Sequence, residues 1–395
     1  MDRDRPAKAR YIMLGGFLGA GKTTAIARLG AFLAERGLRL GLISNDQSCN
    51  LADTALLRSR GFLVEEITGG CFCCRFDSLV EAIRRLAKES PLDVYVAEPV
   101  GSCTDLVATV SYPLRRLHGE SFTVAPLSVL VDPVRAARIL GLEVGPSFSK
   151  KVVYVYLKQL EEADLIVINK CDLLGRAERD CLAAVMRERF PHAEVISCSA
   201  RDGSGTGVWF EHLLAREHVA RPTMELDYDL YAEGEAALGW LNATARLSVA
   251  EPRDGNALLL ELVECLRARL AAEAFEIAHL KMILEPAGRS RDLAAVSLVG
   301  GAAEPQLTSR ALGLFTTGRL IINLRAEGDP ETVRCAVSDV LRDRYAGGVG
   351  RQFEVEHMES FRPARPAPQH RLTVSTREGP EGLAVLPGTP GPRDS

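Results

Sequence analysis

GGFLGAGKTT, residues 15–24, contains Gly16-x-x-x-x-Gly21-Lys22-Thr23, the spacing of a phosphate-binding P-loop. An apolar run at residues 11–14 precedes it and a segment of helical period at 24–36 follows it, so the loop lies between a strand and a helix N-terminus. The chemistry requires that context. Glycines let backbone N–H groups curl around a polyphosphate, and the helix N-terminus adds partial positive charge. Lys22 is expected to reach the β- and γ-phosphates and the Thr23 hydroxyl to ligate Mg2+, with Gly16, Gly19, Ala20, Gly21 and Thr24 completing the nucleotide-binding loop.

Apolar runs at residues 11–14, 39–44, 61–67, 93–97, 128–131, 165–168 and 194–197 alternate with helix-period segments. This predicts an α/β fold, a mostly parallel sheet with helices on both faces. Residues 76–88 set Leu79, Ile83 and Leu86 on one side, with Arg84, Arg85 and Lys88 toward water, the pattern of an amphipathic helix covering a sheet. Around residues 206–229 the rhythm lapses. Strands at 241–249, 279–284, 293–299, 319–324 and 352–357, with helices at 256–273 and 330–344, then predict two helices over an antiparallel sheet. The chain thus divides into a P-loop domain over 1–218, a smaller α+β C-terminal domain over 219–361, and a Pro-rich tail over 362–395 expected to be extended or disordered.

A P-loop does not choose a base. Residues 165–172 read LIVINKCD and place Asn169-Lys170-x-Asp172 at the carboxyl end of an apolar strand, where open α/β sheets bind ligands. The Asp172 carboxylate can accept from both N–H donors on the guanine edge, a pair that adenine lacks. Lys170 is expected to lie along the base, and Ser199 to add a backbone contact to its O6. Glu98, in the stretch Glu98-Pro99-Val100-Gly101 after the fourth predicted strand, is expected to hold the Mg2+ shell or orient the attacking water, while Gly101 lets the loop approach a γ-phosphate. Asp46, after Asn45 at the end of the second strand, is the other candidate for Mg2+. No in-built arginine finger is legible.

Gly69-Gly70-Cys71-Phe72-Cys73-Cys74 lies between the two candidate switch segments. Three thiols so close together suit a thiophilic ion such as Zn2+ or Co2+, and the glycines allow the irregular loop that adjacent ligands need. A buried thiol cluster, or one reactive cysteine with two spectators, is the alternative. Cys49 and Cys103 lie in the switch segments and are candidates to complete the site, which would couple metal affinity to nucleotide state.

Forty-eight Lys and Arg against fifty-two Asp and Glu leave a formal net charge of −4, so no global field recruits nucleic acid or a membrane surface. The first ten residues are charged and no apolar run is long enough to span a bilayer, so a cytoplasmic protein is expected. In a reducing compartment, clustered cysteines are more often metal-binding or catalytic than disulfide-bonded.

Taken together, GGFLGAGKTT, GGCFCC, Glu98-Pro-Val-Gly and Asn169-Lys-Cys-Asp resemble the CobW-like P-loop GTPases, the cobalamin-biosynthesis-related metallochaperone family, over most of residues 10–200. The resemblance implies slow GTP hydrolysis, zinc or cobalt held by Cys71, Cys73 and Cys74, and delivery to a client metalloprotein or corrinoid enzyme. Two departures are visible. Where the family commonly has Asn-Glu-Phe-Gly-Glu, this chain has Asn45-Asp46-Gln47-Ser48-Cys49, which sets Cys49 at an acidic position; the frequent His-rich stretch is missing, and of seven scattered histidines His279 is best placed for more than solvent exposure. Rival readings are a GTP-dependent assembly or reactivation factor for a corrinoid enzyme, and a P-loop small-molecule kinase.

Overall fold

Each of the seven apolar runs of the first half becomes a strand in the computed structural model, which describes residues 8–47, 52–89, 91–289, 292–345, 351–374 and 383–385. In chain order the elements are β1 (Ala9–Gly16), α1 (Lys22–Glu35), β2 (Leu40–Asn45), α2 (Ala52–Ser59), β3 (Leu63–Ile67), α3 (Phe76–Glu89), β4 (Val94–Glu98), α4 (Tyr112–His118), β5 (Phe122–Val124), β6 (Ser128–Val131), α5 (Pro133–Ile139), α6 (Lys150–Glu162), β7 (Leu165–Ile168), α7 (Arg176–Arg189), β8 (Glu194–Ser197) and α8 (Thr206–Ala215). The sheet order is β3-β2-β4-β1-β6-β7-β8, every pair parallel, with the short β5 also beside β1. β4, β6 and β7 are buried along their whole length, as strands covered on both faces must be. The covering is visible at α3, whose Leu79, Ile83 and Leu86 are all buried. Parallel strands share one carboxyl edge, so the loops after β1, β2, β4, β7 and β8 converge there.

The second half contains α9 (Tyr228–Ala236), β9 (Leu238–Asp254), α10 (Gly255–Ala272), β10 (Glu276–Pro286), β11 (Ala294–Leu298), β12 (Gln306–Ser309), β13 (Leu314–Glu327), α11 (Pro330–Tyr345) and β14 (Arg351–Phe361). Its strands form an antiparallel sheet in the order β12-β11-β10-β13-β9-β14. β12 is an addition to the expected set. β9, β10, β13 and β14 run past their predicted ends, because a polar residue facing a partner strand continues a ladder as well as an apolar one does, while β11 stays within its expected bounds.

Side chains alternate across a strand, and here both faces are used. Leu280, Met282 and Leu284 of β10, with Leu320, Ile322 and Leu324 of β13, join Leu258, Leu262, Val333 and Val337 of α10 and α11 in one core. The opposite parity packs elsewhere: Ile283 and Ile321 close on Ala52 and Leu56 of α2, in the P-loop half. The same face therefore carries His279, Lys281, Asn323 and Arg325 toward the carboxyl edge of the parallel sheet.

Residues 362–374 run back along α9 to the first half. Arg365 pairs with Asp229, Arg371 with the buried Asp105 at 2.7 Å, and Leu372 is buried; β15 (Leu372–Val374) pairs with β16 (Leu383–Val385). No helix of the described residues is long and apolar enough to cross a membrane.

Candidate nucleotide and metal site

The loop after β1 is shaped by its glycines. Gly16 has φ +126°, and a Cβ there would lie 2.3 Å from the Leu130 carbonyl oxygen on β6; Gly21 has φ +91°, and a Cβ there would lie 2.5 Å from Asn169 Nδ2. Lys22 curls back to donate to the Gly16 carbonyl at 2.9 Å, and its Nζ lies 4.0 Å from Glu98 Oε1. Burial lowers the Lys22 pKa, while Glu98 and Asp53 oppose the shift. The Glu98 carboxyl is pushed up to about 7, first by burial and then by repulsion from Asp53. Two buried acceptors beside this loop, Glu98 Oε2 and Asn45 Oδ1, have no partner among the described residues. Both residues line a cleft of 480 Å³, together with Gly19, Gly21, Lys22, Thr23, Thr24, Asp46 and Gly101.

The candidate base end of the cleft follows β7. Asn169 acts as a tie: its Nδ2 donates to the Ala20 carbonyl at 2.9 Å and its Oδ1 accepts the Ala200 N–H at 2.9 Å. Lys170 adopts φ +55° and donates to the Gly19 carbonyl and to Asp132, each at 2.8 Å. Asp172 faces the cleft with Arg201 at 3.4 Å. The Ser199 N–H donates to the Ser204 carbonyl at 2.8 Å, and the neighbouring Ala200 N–H is held by Asn169.

Cys71, Cys73 and Cys74 meet below the other end of the cleft. Their Sγ atoms are 2.7 Å (Cys71 to Cys73), 3.3 Å (Cys71 to Cys74) and 3.7 Å (Cys73 to Cys74) apart, with no disulfide among them. Gly69 and Gly70, at φ +75° and +146°, make the turn that lets all three point inward. Hydrogen bonds with Cys103, Cys73 and Cys74 hold the Cys71 pKa well below the usual thiol range, while hydrogen bonds with Cys71 and Cys74, and burial, push Cys73 up. Cys103 adjoins the cluster; Cys49 lies outside the described residues. The C-terminal segment covers the site, with Ala367 N–H donating to Cys74 Sγ at 3.2 Å and Gln369 N–H to the Cys73 carbonyl at 2.9 Å. Asn45 joins the two sites, since its Nδ2 donates to the Gly70 carbonyl at 2.8 Å while the residue lines the cleft.

Residues 10–197 match the family described as CobW/HypB/UreG, nucleotide-binding domain. The matched span runs from β1 to β8, the parallel-sheet half of the chain. The chain is 25% identical over 214 residues to zinc-regulated GTPase metalloprotein activator 1 of Dictyostelium discoideum, covering 47% of this chain and 44% of the relative. Zinc chaperone CobW of a Sinorhizobium species is 29% identical over 194 residues, 44% of this chain and 53% of the relative. Hydrogenase maturation factor HypB of Azotobacter vinelandii is 30% identical over 195 residues, 48% and 55% respectively. The chain thus spans about half the length of the curated relatives it matches.

Outside the matched span, the second half closes the cleft. Thr23 Oγ1 donates to Asp53, on the first turn of α2, and Asp53 in turn pairs with Lys281 of β10. Asp46, the acid expected near Mg2+, is instead held by Arg325 of β13 at 3.2 Å; the carboxylate beside Thr23 is Asp53. Asn323 accepts the Ala52 N–H at 2.8 Å and so fixes the start of α2. His279 lines the cleft and bonds Ser297 Oγ at 3.0 Å; burial, with Lys281 nearby, keeps it well below its usual pKa and hence neutral. Asp53, Asp132, Arg201, Lys281 and Arg325 were not among the expected residues. A polar position inside an apolar strand or helix reads as solvent-facing until the packing partner is known.

The loop between Glu98 and α4 is pinned by Glu162 of α6, whose carboxyl accepts from Thr104 Oγ1 at 3.0 Å and from Val107 N–H at 3.1 Å. Burial, and then the neighbouring Asp105, push this carboxyl up to about 8 from a model-peptide value of 4.5. The fold therefore binds a proton that the unfolded chain releases between those values, and stability falls as pH rises through that window. Glu162→Gln should flatten this slope. Thermal melts of the two proteins at a series of pH values from about 5 to about 9 check it, the variant gaining on wild type as pH rises; parallel curves would refute it.

Proposed function

We propose that the chain is a GTP-hydrolysing metallochaperone that binds zinc at Cys71, Cys73 and Cys74 and passes it to a client metalloprotein. The observation that carries this reading is the shared wall between the sites. Asn45 touches both cleft and cysteine loop, and the stretch from Glu98 to Cys103 has Glu98, Pro99 and Gly101 at the cleft and Cys103 beside Cys71. A nucleotide that reorders residues 45–47 or 98–103 must then disturb the thiols, so nucleotide state and metal affinity are thermodynamically linked.

Mg2+ fits this cleft, because unpartnered buried oxygens of Glu98 and Asn45 lie near the Thr23 hydroxyl and the Asp53 carboxylate. Thr23, Asp53 and Glu98 would hold it, with Asp46 lining the same cleft, and it would supply charge neutralisation at the β- and γ-phosphate oxygens. Lys22 adds a fixed positive charge, the N–H groups of residues 19–24 cradle the phosphates, and Gly101 lets its loop lie against Leu18 of the P-loop. Glu98 orients the attacking water. The three-thiol donor set suits zinc, and Co2+ is the secondary candidate. Relatives named as zinc chaperones support the same choice. A cytoplasmic location keeps the nine described cysteines as the free thiols they are.

Guanine selection by Asp172 is the sharpest test of the nucleotide half. Asp172→Ala should lose about 10²-fold or more of the preference for GTP over ATP, because a site built for two N–H donors loses its acceptor. Competition binding with labelled GTP, GDP and ATP measures it. Unchanged GTP preference would sink the guanine assignment, and ADP formation that depends on an added small-molecule acceptor would replace the GTPase with a kinase.

A further inference from the structure

Lys281 stands 258 residues from the P-loop threonine in sequence, yet its Nζ lies 3.4 Å from Thr23 Oγ1 and is paired with Asp53. It is buried, as is Ile283 on the same face of β10. Among the described hydrogen bonds, both of its partners belong to the set assigned above to Mg2+. Arg325, the neighbouring cation from the same face, is differently placed. Its Nη1 donates to the Leu241 carbonyl at 2.9 Å, to Asn242 Oδ1 at 2.8 Å and to the Leu324 carbonyl at 3.0 Å, and its guanidinium lies 4.0 Å from the Trp240 ring centre. Arg325 is anchored by its own strands, whereas Lys281 is held by groups that a metal-bound nucleotide recruits.

A triphosphate with one Mg2+ brings a net charge of about −2; of the cations lining the cleft, Arg325 is paired with Asp46, Arg201 with Asp172 and Lys170 with Asp132, while Lys22 and Lys281 stand beside the P-loop threonine. With Thr23 and Asp53 engaged by Mg2+, the Lys281 ammonium would lose both of these partners and would be free to meet phosphate oxygens. We propose that Lys281 is a catalytic residue, the cation that the second domain supplies to the transferring γ-phosphoryl group. The inference rests on the GTPase reading and assigns to this chain, in cis, the charge that an arginine finger brings elsewhere.

In the step itself, a water oxygen forms a bond to the γ-phosphorus as the bond from that phosphorus to the β–γ bridging oxygen breaks. The electron pair of the broken bond stays on the β-phosphate of GDP; one water proton leaves to solvent and the other remains on inorganic phosphate. Lys281 neither gains nor loses a proton. Its fixed charge offsets the negative charge that moves onto the bridging oxygen, a gain realised only in the transition state.

The test uses the full-length chain with Mg2+ and compares wild type, Lys281→Met and Lys281→Arg. Single-turnover GTP hydrolysis is read beside affinity for a non-hydrolysable GTP analogue and for GDP with aluminium fluoride, a mimic of the transferring phosphoryl group. Lys281→Met should slow hydrolysis by about 10²–10³-fold. Analogue affinity should stay within about threefold, aluminium fluoride capture by GDP should be lost, and Lys281→Arg should recover the rate to within about tenfold. Equal rates in Lys281→Met and wild type overturn the proposal. So does an analogue affinity that falls as far as the rate, which would make Lys281 a pin between domains. If Lys281→Met does not fold, Lys281→Gln is read against the same criteria. Wild type that binds GTP without hydrolysing it fails the GTPase reading itself, and that result is in hand before any variant is compared.

Discussion

Replacing Lys22 with alanine is expected to lower GTP hydrolysis by about 10³-fold or more, the largest single effect in this protein. Lys22 is buried at the start of α1, and its ammonium reaches back over the loop to the Gly16 carbonyl. Phosphate oxygens that enter this loop meet that charge in a site walled off from water, where it is worth far more than in solvent. The substitution also leaves Glu98 and Asp53 with less opposing charge, so the Glu98 carboxyl, already pushed up to about 7, should rise further. Single-turnover hydrolysis and equilibrium GTP binding measure the two consequences. Hydrolysis within tenfold of wild type would mean that phosphates do not bind at this loop.

The second large effect belongs to the cysteines. Cys73→Ser should weaken zinc binding by more than about 10²-fold, since loss of even a supporting group around a ligand costs 10- to 100-fold and a ligand itself costs more. Cys73 is buried between its two neighbours and its carbonyl is held by Gln369, so the serine hydroxyl occupies the same place with a poor ligand atom. Competition against a chromophoric zinc chelator, with and without a non-hydrolysable GTP analogue, measures both affinity and its coupling to nucleotide. The wild-type difference between those two conditions should vanish in the variant. Zinc affinity that is the same in both proteins would return the three thiols to a buried structural cluster.

Much of the site was legible because its parts are short and local. The P-loop depends on positive-φ glycines within six residues of one another, and the cysteine loop on two glycines directly before it. Asn169, Lys170 and Asp172 sit at one strand end. Here the spacing along the chain is nearly the spacing in space. The Ser199 N–H is taken by the Ser204 carbonyl of its own loop. Arg325 of the second sheet pairs with Asp46, and Asp53 stands beside Thr23, contacts that no local spacing announces.

The sequence by itself determined the alternation of apolar runs and helices, the phosphate loop, the Asn-Lys-x-Asp motif and the thiol cluster, all set by periods and turns of a few residues. Only the tertiary structure decided which acid stands beside Thr23, that Asn45 bridges the two sites, and that residues 367–369 cover the cysteines. It also decided the fate of His279, Lys281, Asn323 and Arg325. In the chain these alternate with leucines, isoleucines and methionine and read as the wet face of an amphipathic sheet. That face becomes an inner wall because Ile283 and Ile321 on it close against α2, and apolar burial at those two positions carries the charged neighbours into the cleft.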